Sequence, residues 1–283
     1  MNLKNVGDGK VVLIAGGGKI YTDIAARFVR SERSLEDILS SAYDKKIVEN
    51  IINSGHKAAV EFDYFIFGVE GYARVTEVQL VRKRLASYMI KTGRADKNGK
   101  RSFDIVTPQS IMDFSVSYPG FDAGSVILPD GQTVKQLLNI DSVKLRMDAE
   151  DILKMIEYWY NTGIDMGRKE EELRYIKPQA TEFKAIIGMN AHALMDWFAI
   201  RCCMNAQTEI RDMANKMLLL CKTAAPDLFM NAGPNCKVLG YCPENNLQHK
   251  DCRGKILTKN EALAVLKKYN KEKQQCKQGN PDE

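Results

Sequence analysis

Between residues 60 and 67, Val60, Phe62, Tyr64 and Ile66 alternate with Glu61 and Asp63, the period of two that belongs to a half-buried strand. On either side the spacing of apolar residues lengthens to that of a helix, over Tyr21–Ser31, over Lys45–Ser54 up to Gly55, and over Thr76–Met89. The chain therefore has to place helices and strands together.

Other patterns extend this reading. A short buried strand is expected over Lys10–Ile14, followed by Gly16-Gly17-Gly18. That triplet lacks both a following Gly-Lys-Ser/Thr and the GxGxxG spacing of phosphate loops, so it reads as a flexible turn. Ser34 and Asp37 form a capping pair for a helix running towards Asp44. In Val143–Asn161, Ile152, Met155, Ile156 and Trp159 recur at helical spacing, and Asn260–Lys271 predicts a terminal amphipathic helix. Arg94–Ser142 holds no sustained period, with turns expected at Tyr118-Pro119-Gly120 and Pro129-Asp130-Gly131.

The longest helical pattern runs from Asn190 to Cys221, where Leu194, Trp197 and Phe198 form an apolar stripe and Arg201 falls on the same stripe one turn later. A guanidinium in that position must reach solvent or meet an anion, because an unpaired buried charge is strongly destabilising. Arg201 is the first residue whose position asks for a function.

Composition narrows the classes. No run approaches the roughly 18 uninterrupted apolar residues of a bilayer span. Val11–Ala15 is too short for a signal-peptide core, so no membrane association and a cytoplasmic location are expected. With 41 Lys and Arg against 36 Asp and Glu, the net charge of +5 suits anionic ligands. No basic stripe with interleaved aromatics points to a nucleic-acid polymer. Seven cysteines, an odd number without a secretory signal, favour reduced thiols or a metal site over disulfides.

The densest basic cluster is Arg82-Lys83-Arg84, with Lys91 and Arg94 after it and Gln79 one turn before. Such a run is either a solvated helix face or a binding site for phosphate, where Arg offers bidentate charge-assisted hydrogen bonds that Lys cannot copy. Thr92-Gly93-Arg94 supports the second reading, since glycine lets backbone N–H groups approach a phosphate closely.

Gln79 to Ser87, continuing to Thr92-Gly93-Arg94, resembles the QxxRHRxxSxNExSxR signature of the flavin-dependent thymidylate synthases (ThyX type). Ser54-Gly55-His56 with Glu61 is similar to that family's Gly-His-x-Ser-Pro-x-Glu-His segment. Arg174-Tyr175-Ile176-Lys177-Pro178 resembles its Ala-Arg-x-x-Leu-Pro motif, and Met189-Asn190-Ala191-His192-Ala193-Leu194 its Met-Asn-Ala-Arg-Glu-Leu. Arg201 with Ala206-Gln207-Thr208-Glu209-Ile210-Arg211 resembles the closing Arg…Ala-Gln-x-Glu-Ile-Arg helix.

The resemblance implies an α+β protomer with a mixed or antiparallel sheet packed by long helices, and a homotetramer whose active sites are shared between subunits. It implies a catalytic domain over residues 1–235 and a cysteine-containing extension with a terminal helix over 236–283. It further implies FAD as cofactor, NADPH and methylenetetrahydrofolate as co-substrates, and methylation of dUMP at C5. Carried over position by position, Gln79, Thr92, Gly93, Arg94, Arg174 and Arg201 would bind the nucleotide. Arg201 would also act in catalysis by stabilising charge developing on the uracil. His56, Arg82, Lys83, Arg84, Ser87, Asn190, His192 and Asp196 would face the flavin.

Some positions depart from the family pattern. Lys83 replaces a His, Met89 and Ile90 replace Asn-Glu, Phe62 a second His, and His192 an Arg, while Asp196 stands where some relatives carry Asn. The departures leave open a related flavin chemistry, such as hydroxymethylation of another pyrimidine nucleotide, and a non-catalytic nucleotide-binding paralogue. His56 is equally readable as a flavin or folate contact and as a helix cap. Cys236, Cys242 and Cys252, with His249 nearby, are zinc-type donors without a repeated CxxC spacing, so free thiols remain the alternative to a metal.

Overall fold

The computed structural model describes residues 1–18, 20–91, 102–113, 115–122, 127, 131–133 and 144–278. The chain begins β1 (Asn2–Asn5), β2 (Lys10–Ala15), α1 (Tyr21–Arg30), α2 (Leu35–Ser40), α3 (Lys45–Ser54) and a 3-10 helix (Lys57–Phe62). It continues through β3 (Tyr64–Ala73), α4 (Arg74–Leu80), β4 (Ser87–Ile90), β5 (Asp104–Thr107), α5 (Gln109–Met112), β6 (Ser115–Asp122) and β7 (Lys144–Asp148). The remainder is α6 (Ala149–Asp165), α7 (Glu170–Leu173), a 3-10 turn (Arg174–Ile176), β8 (Glu182–Asn190), α8 (Ala191–Arg201), α9 (Thr208–Ala224), α10 (Asn235–Leu239) and α11 (Lys259–Gln278). Among the described residues no helix is long and apolar enough to cross a membrane.

The fold is α+β and divides into two compact units, one of Met1–Asp8, Gly71–Glu77 and Ile90–Lys184, the other of Gly9–Glu70, Val78–Met89 and Ala185–Glu283. In the first, β1 pairs parallel with β5 and β6 antiparallel with β7. Its core gathers Phe103, Ile105, Leu153, Tyr160 and Leu173. α6 begins at a capping box in which Asp148 accepts from the Asp151 N–H at 2.9 Å and Asp151 accepts from the Asp148 N–H at 3.2 Å. The expected helix over Val143–Asn161 therefore starts later, after β7. Its inward face also differs: Leu153 and Tyr160 are buried, whereas Ile152, Met155 and Trp159 are exposed. Apolar residues occur around much of this helix, and Phe103 and Ile105 select the face that is buried. Tyr118-Pro119-Gly120, expected as a turn, lies inside β6 where its pairing with β7 shifts register, as proline without an N–H requires. Pro129 and Asp130 lie outside the described residues.

The second unit is built on a four-stranded sheet of order β2-β3-β8-β4, with β2 antiparallel to β3. Phe65, Phe67, Ile187 and Met189 are fully buried, as are Phe198 of α8 and Ile210, Met213 and Met217 of α9. Phe229 stacks edge-on against Phe65 at 5.2 Å and against Phe198 at 6.2 Å, and burying each such side chain contributes about 1.5–3 kcal/mol. The alternation at residues 60–67 marks a strand with its phase inverted: the core positions are Phe65, Phe67 and Val69, while Phe62 and Tyr64 are exposed. Residues 57–62 coil as a 3-10 helix, so the count of two restarts at Asp63.

Asp63 also starts α1. Ile20 offers no side-chain cap, and the buried Asp63 carboxylate accepts the N–H groups of Tyr21 at 2.8 Å and Thr22 at 3.0 Å, together with the Thr22 hydroxyl. Its backbone carbonyl accepts from the Ala191 N–H of α8 at 2.7 Å. The preceding Gly16-Gly17-Gly18 is a packed turn rather than a flexible one. Its φ values are +123°, +78° and +76°, and a Cβ on Gly16 would stand 2.4 Å from the Phe65 ring.

Three helix expectations change in extent. α2 ends at Ser40, and Asp44 instead caps α3 by accepting from the Lys46 N–H at 3.0 Å. The pattern over Thr76–Met89 breaks at Leu80, leaving the basic cluster in a turn and Ser87–Ile90 in β4. The long pattern from Asn190 is two helices, α8 and α9, interrupted at residues 202–207.

Candidate functional site

The break after α8 puts Arg201 at the end of a helix, beside the turn that carries Arg82 and Lys83. Arg82, Lys83, Asp196, Trp197, Arg201 and Asn235 are among the residues lining a cleft of about 450 Å³, within the range of small-molecule sites. Arg201 donates from Nη2 to the Gln79 carbonyl at 3.1 Å and from Nη1 to Gln79 Oε1 at 3.4 Å, and Gln79 Nε2 donates to Gln207 Oε1 at 2.7 Å. These neutral acceptors orient the guanidinium without neutralising it. Among the described residues no carboxylate stands within ion-pair distance of Arg201, and burial together with the neighbouring Arg82 charge lowers its pKa. Even lowered, a guanidinium stays charged, so two uncompensated cations converge on the cleft. At the same place the Trp197 indole N–H is buried with no acceptor among the described residues.

Asp196 is the acidic counterweight. It holds Lys57 at 3.4 Å, Lys83 at 3.6 Å and the His192 Nε2 at 3.7 Å, while His192 Nδ1 faces Glu61 at 3.0 Å. These half-exposed pairs contribute little to stability; their effect is to aim Lys83 and His192. Asn190 is the N-cap of α8, its Oδ1 accepting from the Ala193 N–H at 2.8 Å. That leaves its amide nitrogen as the available donor. Ser87 accepts from the Tyr64 hydroxyl at 3.3 Å, and Arg84 is exposed. His56 is exposed and precedes the 3-10 helix; the cap of α3 is Gly55, in the left-handed conformation at φ +75°.

The structure brings Gln79, Arg82, Lys83, Asp196 and Arg201 together. Arg174 belongs to the other unit, on its 3-10 turn, and Thr92, Gly93 and Arg94 lie outside the described residues. Cys236, Cys242, His249 and Cys252 line a different cavity.

Sequence reasoning missed Tyr88, for which no local pattern gave a signal. Its hydroxyl donates to the carbonyls of Leu80 at 2.9 Å and Lys83 at 3.0 Å and so fixes the basic turn. Burial pushes this hydroxyl from its ordinary 10.0 up to about 12. The folded state keeps a proton that the unfolded chain gives up, so the stabilisation is complete below pH 10 and is lost as pH rises through 12. Tyr88→Phe should cost about 1 kcal/mol at neutral pH and remove that alkaline component. Urea midpoints measured across the alkaline range check this, and identical pH profiles for the two proteins would refute it.

An α+β fold with a cleft walled by Arg82 and Arg201 has the charge that suits small anionic ligands. Residues 18–227 match the family model described as thymidylate synthase complementing protein, and the chain belongs to that family. A flavin-dependent thymidylate synthase of Nitratidesulfovibrio vulgaris is 35% identical over 202 residues, covering 70% of this chain and 71% of the relative. Another, from Geobacter sulfurreducens, is 30% identical over 87% of this chain and 90% of its own length. In fold the chain is similar to the UMP/dUMP methylase PolB of Streptomyces cacaoi solved with 5-Br dUMP, with a TM-score of 0.61 at 19% identity over 82% of this chain and 98% of that one.

Proposed function

We propose that the chain is an FAD-dependent thymidylate synthase that converts dUMP to dTMP, with methylenetetrahydrofolate as one-carbon donor and NADPH as reductant, in the cytoplasm. The observation that carries this reading is the Arg201 and Arg82 pair, half-buried cation beside exposed cation, lining a cleft with no carboxylate on Arg201 among the described residues. Family membership supplies the chemistry the cleft would serve. Residues 1–235 would form the catalytic domain and 236–283 its extension.

Arg201 would lie against the pyrimidine, where a fixed cation stabilises negative charge developing as C5 becomes nucleophilic. Gln79, already oriented against Arg201, would supply an amide to the base edge, and Thr92, Gly93, Arg94 and Arg174 would hold the phosphate. The donor set also fits a flavin dinucleotide. Arg82, Lys83 and Arg84 offer cations to a diphosphate, the orphaned Trp197 N–H offers a buried donor, and Ser87, Asn190, His192, Asp196 and His56 offer polar contacts. Bound FAD would supply the hydride transfer. Met89 and Ile90 add no polar capacity there, so the basic turn carries more of the hold than in the family pattern.

A homotetramer with shared active sites is supported by the outer face of the four-stranded sheet. Val12, Ile14, Tyr64, Ile186 and Met89 are 59%, 55%, 47%, 44% and 76% exposed. The side chains of Ile14 and Ile186 meet over Gly68, at 3.4 and 3.8 Å from where its Cβ would stand. Contiguous apolar surface of this kind marks a protein interface.

Mass spectrometry of nucleotides after incubation with dUMP, FAD, NADPH and methylenetetrahydrofolate, with dCMP in parallel, tests the activity. The expected product is dTMP from dUMP alone. A hydroxymethylated nucleotide or conversion of dCMP would overturn the reaction assignment. Colourless protein that binds dUMP and yields no product would overturn the enzymatic reading.

A further inference from the structure

The face of α6 that the core leaves outside has a pattern of its own. Ile152, Met155, Trp159, Thr162 and Met166 follow one another at steps of three, four, three and four residues, the spacing of a coiled-coil seam. The chain's own core is served by a different face of the helix, where Leu153 and Tyr160 are buried with Phe103 and Leu173. On the seam, Ile152, Met155, Trp159 and Met166 are 47%, 61%, 56% and 71% exposed, and Thr162 is half-buried. α6 therefore carries two apolar faces, of which its own unit uses one.

Charge selects what can cover the second face. The seam itself is uncharged. Glu150 and Asp151 make the first turn of α6 acidic, while Arg168 and Lys169, exposed just beyond its other end, make that end basic. A second α6 running antiparallel, with a two-fold axis at Trp159, sets the acidic end of each helix beside the basic end of the other. It also brings Lys154 level with Asp165 of the second copy, whereas a parallel pair would set acid against acid. Opposed helix dipoles favour the same direction. The axis places Ile152 opposite Met166 and Trp159 against its own copy, so the face is complementary to itself, as an isologous contact requires.

We propose that α6 is a two-fold interface between copies of this chain, an antiparallel helix pair centred on Trp159. The inference rests on the proposed homotetramer, because a tetramer built on two-fold axes needs two different self-complementary contacts. The outer face of the four-stranded sheet offers one and the α6 seam the other. With aromatic side chains of about 150–250 Å² each, the exposed parts of the seam and of the flanking Tyr158 come to about 500 Å² per copy, so a pair buries about 1,000 Å². That is the lower bound of a specific interface, enough for one of two contacts that reinforce each other in a closed assembly.

Sedimentation equilibrium of the full chain, combined with oxidative cross-linking by copper phenanthroline, tests the seam without reference to activity. Trp159→Glu puts like charges together at the axis and is expected to halve the mass of the assembly. Its circular dichroism should match that of the unaltered protein, because Trp159 lies outside the buried core. Trp159→Cys should join two copies by a disulfide on oxidation, above the background of the unaltered chain with its own seven cysteines. Ile152→Cys alone should not, since its two copies would stand about 21 Å apart along the paired helices. Adding Met166→Cys to it should restore the cross-link. A dimeric unaltered protein that cross-links through Trp159→Cys would uphold the seam and refute the tetramer. A monomer, no cross-link in Trp159→Cys, or equal cross-linking by Ile152→Cys alone would each overturn the inference. A tetramer whose mass is unchanged in Trp159→Glu would overturn it while leaving the homotetramer in place.

Discussion

Replacing Arg201 with alanine is expected to lower kcat for dUMP methylation by about 10²- to 10³-fold, the loss found when one fixed donor to developing negative charge is removed. The dUMP dissociation constant should also rise, because in the proposed site the same group would face the ground-state nucleotide. The protein should still fold, since Arg201 bonds only to neutral groups of Gln79, each worth about 1 kcal/mol. Arg201→Lys separates charge from geometry. Lysine keeps the cation but cannot bridge the Gln79 carbonyl and side chain at once, so it should recover binding more than turnover. Single-turnover kinetics with a dUMP titration read both quantities, and unchanged values in Arg201→Ala would refute the assignment.

The largest effect on stability is expected at Asp63. Its carboxylate satisfies two backbone donors at the start of α1, and its carbonyl receives the first N–H of α8. In Asp63→Ala the carbonyl contact survives and the Thr22 hydroxyl keeps the Ala59 carbonyl at 3.1 Å, but the Tyr21 and Thr22 N–H groups lose the carboxylate that accepts them. Hydrogen bonds to a charged acceptor contribute about 1.5–3 kcal/mol each, so a loss of about 3–5 kcal/mol follows. Asp63→Asn retains one acceptor oxygen and should cost roughly half as much. Urea unfolding of the three proteins measures this, and a loss below about 1 kcal/mol in Asp63→Ala would show that another group caps α1.

Asp63 also shows where the sequence stops being legible. As one acidic residue among alternating apolar ones it reads as the polar side of a strand, and only the approach of α1 from 42 positions earlier reveals a cap. The helices at Tyr21, Lys45 and Asn260 were readable because their periodicity and stop signals are local. The phase of β3 was not, since residues 57–62 coil before the strand begins. At the cleft, the polarity conflict at Arg201 was visible on the apolar stripe, and the motif resemblance supplied its companions Gln79 and Arg82. The placement of that basic turn depended on Tyr88 reaching back to two carbonyls, which spacing does not encode.

The break after α8 has an electrostatic consequence. A helix carries a partial negative charge at its C-terminal end, and α8 stops at Arg201, so the peptide dipoles alone would turn an anion away from this wall of the cleft. The guanidinium reverses the sign of the local field while being stabilised by the dipoles beneath it. Removing it would expose the repulsive pole of the helix, turning a wall that attracts anions into one that rejects them.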